Sequence, residues 1–168
     1  VADWGALVFG AGSWWAVVFF LEMRILLTGP DGFIGAAFAR QARSNGHEVA
    51  GVYLPGHAPG GGVTGIRPLT GTLAAPPWEA ISRWAPEVCV HTAWVTAPGE
   101  YLESPANEQF LEWSRNWFER VVDMGVGHLV GLGTCIEYQM GTRPLDEIQT
   151  PVAPGNRYAR CKDALRQW

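Results

Sequence analysis

Arg24-Ile25-Leu26-Leu27-Thr28-Gly29-Pro30-Asp31-Gly32-Phe33-Ile34-Gly35 is the stretch on which the fold turns. A short apolar run ends in a glycine at every third position, at Gly29, Gly32 and Gly35. Such a run, closed by a glycine turn, reads as a buried parallel strand over 24–28. Helix-compatible residues extend from Phe33 to about Arg43, and Asn45-Gly46 stops them. Glu48 to Leu54 reads as a second strand. Strand, glycine turn and helix form the arrangement that holds a dinucleotide pyrophosphate. The first glycine allows the tight turn, the second admits phosphate to the backbone, and the third lets helix and strand pack closely. The helix N-terminus adds partial positive charge.

The pattern continues outward. Residues 55–62 form a Gly/Pro loop, with a weak strand expected at 63–69. Pro77 to Trp84 suits a short helix with Pro at its start. Val88 to Thr92 reads as a buried strand, and Leu129 to Leu132 as another short apolar strand. Between them, Pro105 to Met124 reads as a long helix closed by Gly125. Phe110, Trp113, Trp117, Val121 and Met124 form one apolar stripe on it, and Leu111, Phe118 and Val122 a second. Two stripes fit burial against a sheet and a partner subunit, or a wholly internal core. Residues 139–156 hold Gly141, Pro144, Pro151, Pro154 and Gly155 and read as irregular, before a last helix from Arg157. Strands alternating with helices predict an α/β fold, a doubly wound parallel sheet with helices on both faces.

Composition bounds the rest. A chain of 168 residues, 48% hydrophobic and 17% charged, is one domain rather than a disordered segment. A net charge of −4 makes no electrostatic case for nucleic acid. Cys89, Cys135 and Cys161 have no metal-ligand spacing and no disulfide framework, so the expected setting is a reducing cytoplasm, with no metal. Trp4 to Leu21 carries no charge and differs in character from the remainder of the chain. Residues 1–22 read as a hydrophobic N-terminal extension outside the domain at 23–168. A membrane anchor is the less favoured alternative, because almost no linker separates them from the first strand.

Tyr158 and Lys162 lie four apart and share one face of the last helix. A free tyrosine is a poor base near neutrality, and a neighbouring ammonium favours its phenolate. Such a pair can exchange a proton with a hydroxyl while hydride moves to a nicotinamide. Thr134 comes just after a strand end, where an open parallel sheet places ligands. Each of these residues alone is ordinarily structural. Their order behind the glycine loop carries the reading.

The segments Gly29 to Gly35, Val90-His91-Thr92-Ala93-Trp94, Gly133-Thr134-Cys135-Ile136-Glu137-Tyr138 and Tyr158-Ala159-Arg160-Cys161-Lys162 resemble the extended short-chain dehydrogenase/reductase family, in its nucleotide-sugar epimerase/dehydratase branch. The resemblance runs from Met23 to the last residue. It implies a Rossmann-type domain using NAD or NADP on a nucleotide-sugar substrate. It implies that Tyr158 is the acid/base and that Lys162 tunes it and holds the nicotinamide ribose. Thr134 would orient the substrate. The glycine loop, with Gly29, Gly32, Phe33, Ile34 and Gly35, would hold the pyrophosphate. Ala93 would lie beside the cofactor, and the longer protein would be a homodimer.

Three positions depart from the family pattern. Tyr53 stands where NAD-preferring members end the second strand with an acid that binds the adenosine ribose. No basic residue adjoins it, so NAD and NADP stay open. Cys135 and Ile136 replace the Asp-Glu pair of the sugar dehydratases, which disfavours dehydration. Glu137, on a strand-like path, would face away from Ile136. Thr72, after Gly71, replaces an Asp near the adenine. The family also continues well past Lys162 into a substrate-binding region with no counterpart here. The expectation is therefore an epimerase or reductase of which the cofactor half is present, or else a non-catalytic dinucleotide-binding module.

Overall fold

The computed structural model describes residues 22–57 and 64–168. The N-terminal extension up to residue 21, most of the Gly/Pro loop, and Val63, at the expected start of the third strand, lie outside the described residues.

The elements are β1 (Arg24–Thr28), α1 (Phe33–Ser44), β2 (Glu48–Tyr53), β3 (Arg67–Thr70), α2 (Trp78–Trp84), β4 (Val88–His91), α3 (Ala106–Asp123), β5 (His128–Gly131), a 3-10 turn (Cys135–Glu137) and α4 (Arg157–Gln167). The five strands form one sheet in the order β3-β2-β1-β4-β5, every pair parallel. Strand order reverses at β1, with β2 and β3 on one side and β4 and β5 on the other. The carboxyl ends of β1 and β4 therefore border the crevice where such sheets take ligands.

Alternation along the strands supplies two cores. Ile25, Leu27, Val49, Tyr53, Val88 and Val90 face α1 and pack on Ala39 and Ala42. Leu26, Ala50, Val52, Leu69 and Cys89 face the other way, onto Ile81 and Trp84 of α2 and Trp117, Phe118 and Val121 of α3. Successive side chains of a strand point to opposite faces, so near-continuous apolar strands require helices on both. Burying a leucine such as Leu26, which is wholly enclosed, contributes roughly 2 kcal/mol. Trp117 is also fully enclosed, and its indole N–H donates to the Cys89 sulfur at 3.2 Å.

The second stripe of α3 is covered only in part. Phe118 is buried and Leu111 half-buried, whereas Val122 is 52% exposed. β5 is exposed along its whole length. α4 lies against α3, tied to it by Arg157 and Glu108 at 3.2 Å. No helix among the described residues is long and apolar enough to cross a membrane.

Candidate active site

The glycine loop is shaped by contacts that admit no side chain. Gly29 has φ +66°, a left-handed conformation that favours glycine. A Cβ on Gly35 would overlap the Gly29 carbonyl oxygen, so the third glycine is what lets α1 start directly against the loop. A Cβ on Gly32 would meet only that same carbonyl, and Gly32, Phe33 and Ile34 are exposed. The first turn of α1 has no acidic residue and no side-chain cap. Its amide N–H groups and the helix dipole thus face outward unopposed, which fits a pyrophosphate.

A buried hydrogen-bond chain ties this loop to the rest of the crevice. Ser114 on α3 donates its hydroxyl to the Phe110 carbonyl at 2.6 Å, so its oxygen accepts from His91 Nε2 at 2.9 Å. His91 Nδ1 then accepts from the Thr28 hydroxyl, also at 2.9 Å. The Thr28 oxygen in turn accepts the backbone N–H groups of Thr92 and Ala93 at 3.1 and 3.2 Å. The Thr92 hydroxyl closes the chain by donating to the Thr28 carbonyl at 2.6 Å. His91 is 1% exposed, and burial, with the nearby Lys162 charge, pushes its pKa down to about 3. It is therefore neutral, as the tautomer in this chain requires. Ala93, expected beside the cofactor, is held in place by this chain.

Thr134, Tyr158 and Lys162 come together beyond the ends of β4 and β5. Thr134 is extended, and its backbone N–H donates to Glu137 Oε1 at 2.8 Å. Asn156 caps α4 by accepting from the Ala159 N–H at 2.8 Å, which sets Tyr158 and Lys162 on one face. The Tyr158 ring packs edge-on against Tyr101 and Trp94, with centroids 5.0 and 6.3 Å away. Burial pushes the Tyr158 phenol above its ordinary value, opposed by the neighbouring Thr134 side chain. With its pKa raised above 10, the phenol of the free site is protonated rather than a preformed phenolate.

Lys162 is 4% exposed. Its ammonium donates to the Leu132 carbonyl at 2.8 Å and lies 4.1 Å from the centroid of the Trp94 ring. Burial lowers its pKa to about 8, while Glu137 raises it. Trp94 is fixed from behind. Its indole N–H donates to Asn107 Oδ1 at 2.8 Å, and Asn107 Nδ2 donates to the Tyr101 and Ser104 carbonyls. Neither Trp94 nor Asn107 is a site residue on the sequence reading. Trp94 adjoins Ala93 in a segment already singled out, but Asn107 carries no signal of its own.

The structure also places the three positions that depart from the family pattern. Residues 135–137 form a 3-10 turn rather than a strand-like path. Glu137 consequently turns inward and is 2% exposed, near Arg166 at 3.7 Å. Tyr53 is 2% exposed, with its ring against Gly51 inside the core. Thr72 uses its hydroxyl locally, accepting from the Ala75 N–H at 2.9 Å. Cys89 and Cys161 are buried and Cys135 exposed, all three free, and the described residues contain no cluster suited to a metal.

Known proteins align with this arrangement. The NAD dependent epimerase/dehydratase family matches residues 25–168. The dTDP-6-deoxy-L-talose 4-dehydrogenase (NAD(+)) of Aggregatibacter actinomycetemcomitans is 25% identical over 147 residues, covering 86% of this chain and 53% of that protein. Among solved structures, TunA, an NAD dependent NDP-hexosamine 5,6-dehydratase of tunicamycin biosynthesis, superposes with a TM-score of 0.67 at 25% identity, covering 87% of this chain and 48% of its own. The NAD complex of UDP-glucose 4-epimerase from Brucella ovis gives a TM-score of 0.74 at 20% identity, with 87% and 46% covered. The chain spans about half the length of each. With a match across nearly the whole described domain, the chain belongs to the NAD dependent epimerase/dehydratase family.

Proposed function

We propose that this chain forms the NAD-binding portion of an epimerase or reductase acting on a nucleotide-linked sugar, with Tyr158 as acid/base. The observation that carries the reading is the meeting of Thr134, Tyr158 and Lys162 at the strand ends, beside a loop whose glycines leave room for a pyrophosphate. Bound NAD supplies the hydride acceptor. The chain's own residues do the rest. The first turn of α1, from Phe33, binds the pyrophosphate through backbone N–H groups, and Gly32 leaves the approach open because it carries no side chain. The His91 chain holds Ala93 at the edge of the pocket. The Thr134 hydroxyl orients a sugar hydroxyl toward Tyr158, which as phenolate takes the proton of the sugar hydroxyl in oxidation and as phenol returns it in reduction.

A buried, protonated Tyr158 is a poor base until positive charge approaches it. The Lys162 ammonium, 5.9 Å from the Tyr158 ring centroid, is the charge available within the chain. Dehydration is disfavoured. Cys135 and Ile136 are not the acid and base of that reaction, and Glu137 is committed to the Thr134 N–H. The half-covered stripe of α3, with Val122 outermost, is the face on which a homodimer of the longer protein would pack.

The experiment is incubation of the encoded protein with NAD and a panel of UDP- and dTDP-hexoses, following absorbance of reduced cofactor and C4 configuration by NMR. Reduced cofactor or inversion with at least one sugar nucleotide is expected. NAD binding with neither outcome across the panel would instead favour a non-catalytic dinucleotide-binding module.

A further inference from the structure

The end of β2 lacks the carboxylate that NAD sites use for the adenosine ribose, yet a carboxylate stands beside it. We propose that Asp31, carried on the glycine loop, selects the adenosine ribose of NAD over the 2′-phosphorylated ribose of NADP. This rests on the reading that the loop holds a dinucleotide.

The strand register sets the geometry. Thr28, the last residue of β1, pairs with Val52, so Gly29 to Asp31 rise alongside Tyr53, the last residue of β2. Pro30 is buried and packs on Gly51, where an added Cβ would lie 2.9 Å from the proline Cβ. The Tyr53 ring meets the same spot at 3.0 Å. Pro30 therefore closes the top of β2 and presents Asp31 there. The Asp31 charge reaches Tyr53 and helps raise its pKa, second to burial. Asp31 Oδ2 lies 3.1 Å from His57 Nδ1, in the loop after β2, with the two side chains 43% and 55% exposed. The pair is thus ordered but open to a ligand.

Chemistry decides between the two cofactors. In dinucleotide sites an acid near this strand end accepts from the ribose hydroxyls, whereas an arginine accommodates the 2′-phosphate. Residues 54–66 contain neither Lys nor Arg. His57 is their one candidate cation, and it is engaged with Asp31. A 2′-phosphate would face a carboxylate with no guanidinium to offset it. A ribose diol would find an acceptor.

The test is fluorescence titration of the encoded protein, Asp31→Asn and His57→Ala with NADH and NADPH, with thermal unfolding as the control for folding. Asp31 is exposed and Asn matches its size, so the melting temperature should hold. Wild type should prefer NADH by at least about tenfold, the scale of a hydrogen bond to a charged group. Asp31→Asn should bring the ratio toward unity by weakening NADH, while His57→Ala keeps the preference. Equal binding, a preference for NADPH, or an Asp31→Asn ratio unchanged from wild type would overturn the assignment alone. Binding of neither dinucleotide would overturn the dinucleotide reading together with it.

Discussion

Replacing His91 with glutamine separates what the histidine does by shape from what it does by titration. Glutamine keeps an N–H donor toward Ser114 but has no proton to gain. In the folded protein His91 takes a proton only near pH 3, against 6.5 when unfolded. Its folded pKa is depressed, so the full stability is present above about 6.5 and is lost as pH falls from there toward about 3. Linkage over that interval gives about 2 kcal/mol lost between about pH 7 and about pH 5, because the unfolded chain takes up a proton that the folded one refuses. Urea unfolding of wild type and His91→Gln at the two pH values measures it. The variant should be less stable at neutral pH by about 1–3 kcal/mol, since the Thr28 hydroxyl loses its acceptor. Its further loss on acidification should be smaller than that of wild type by about 2 kcal/mol. Equal acid losses in both proteins would refute the reasoning and with it the neutral hydrogen-bond chain.

Gly35→Ala drives a methyl group into the Gly29 carbonyl, backbone that cannot step aside, and should destabilise by roughly 3 kcal/mol or more in chemical unfolding. Whatever folds should show no saturable NADH fluorescence. Trp94→Leu removes the aromatic face from the Lys162 ammonium, an interaction of about 1–2 kcal/mol when desolvated. NMR titration of the labelled lysine should then show its pKa about one unit lower than in wild type, with Trp94→Phe in between. An unmoved lysine in Trp94→Leu would remove Trp94 from the account.

The cofactor half of the fold was legible because its signals are local. Ile25-Leu26-Leu27, the glycine spacing and the Asn45-Gly46 stop lie within one βαβ unit, and each constrains backbone directly. β5 begins one residue earlier than expected, at His128, because its pairing with Val88 rather than its own apolar content fixes the start. The turn at 135–137 was not legible. Glu137 folds back to accept the Thr134 N–H, and nothing in a run of Cys-Ile-Glu announces that. The protonated state of Tyr158 escaped for a related reason. Spacing shows that Lys162 shares its face, but not that the ring is packed against Tyr101 and Trp94 and that its burial raises the phenol's pKa. The ties from Trp94 to Asn107 and from Thr28 to His91 and Ser114 join residues that only the assembled sheet brings together.

The central claim is that Tyr158 moves the proton while the glycine loop independently holds NAD. Parallel measurement of NADH affinity and of turnover, with the sugar nucleotide found active, tests it in Tyr158→Phe. The phenyl ring keeps the packing against Tyr101 and Trp94 and loses only the hydroxyl. Affinity within about threefold of wild type with turnover reduced by at least about a thousandfold is the predicted result. Turnover close to wild type would contradict the account.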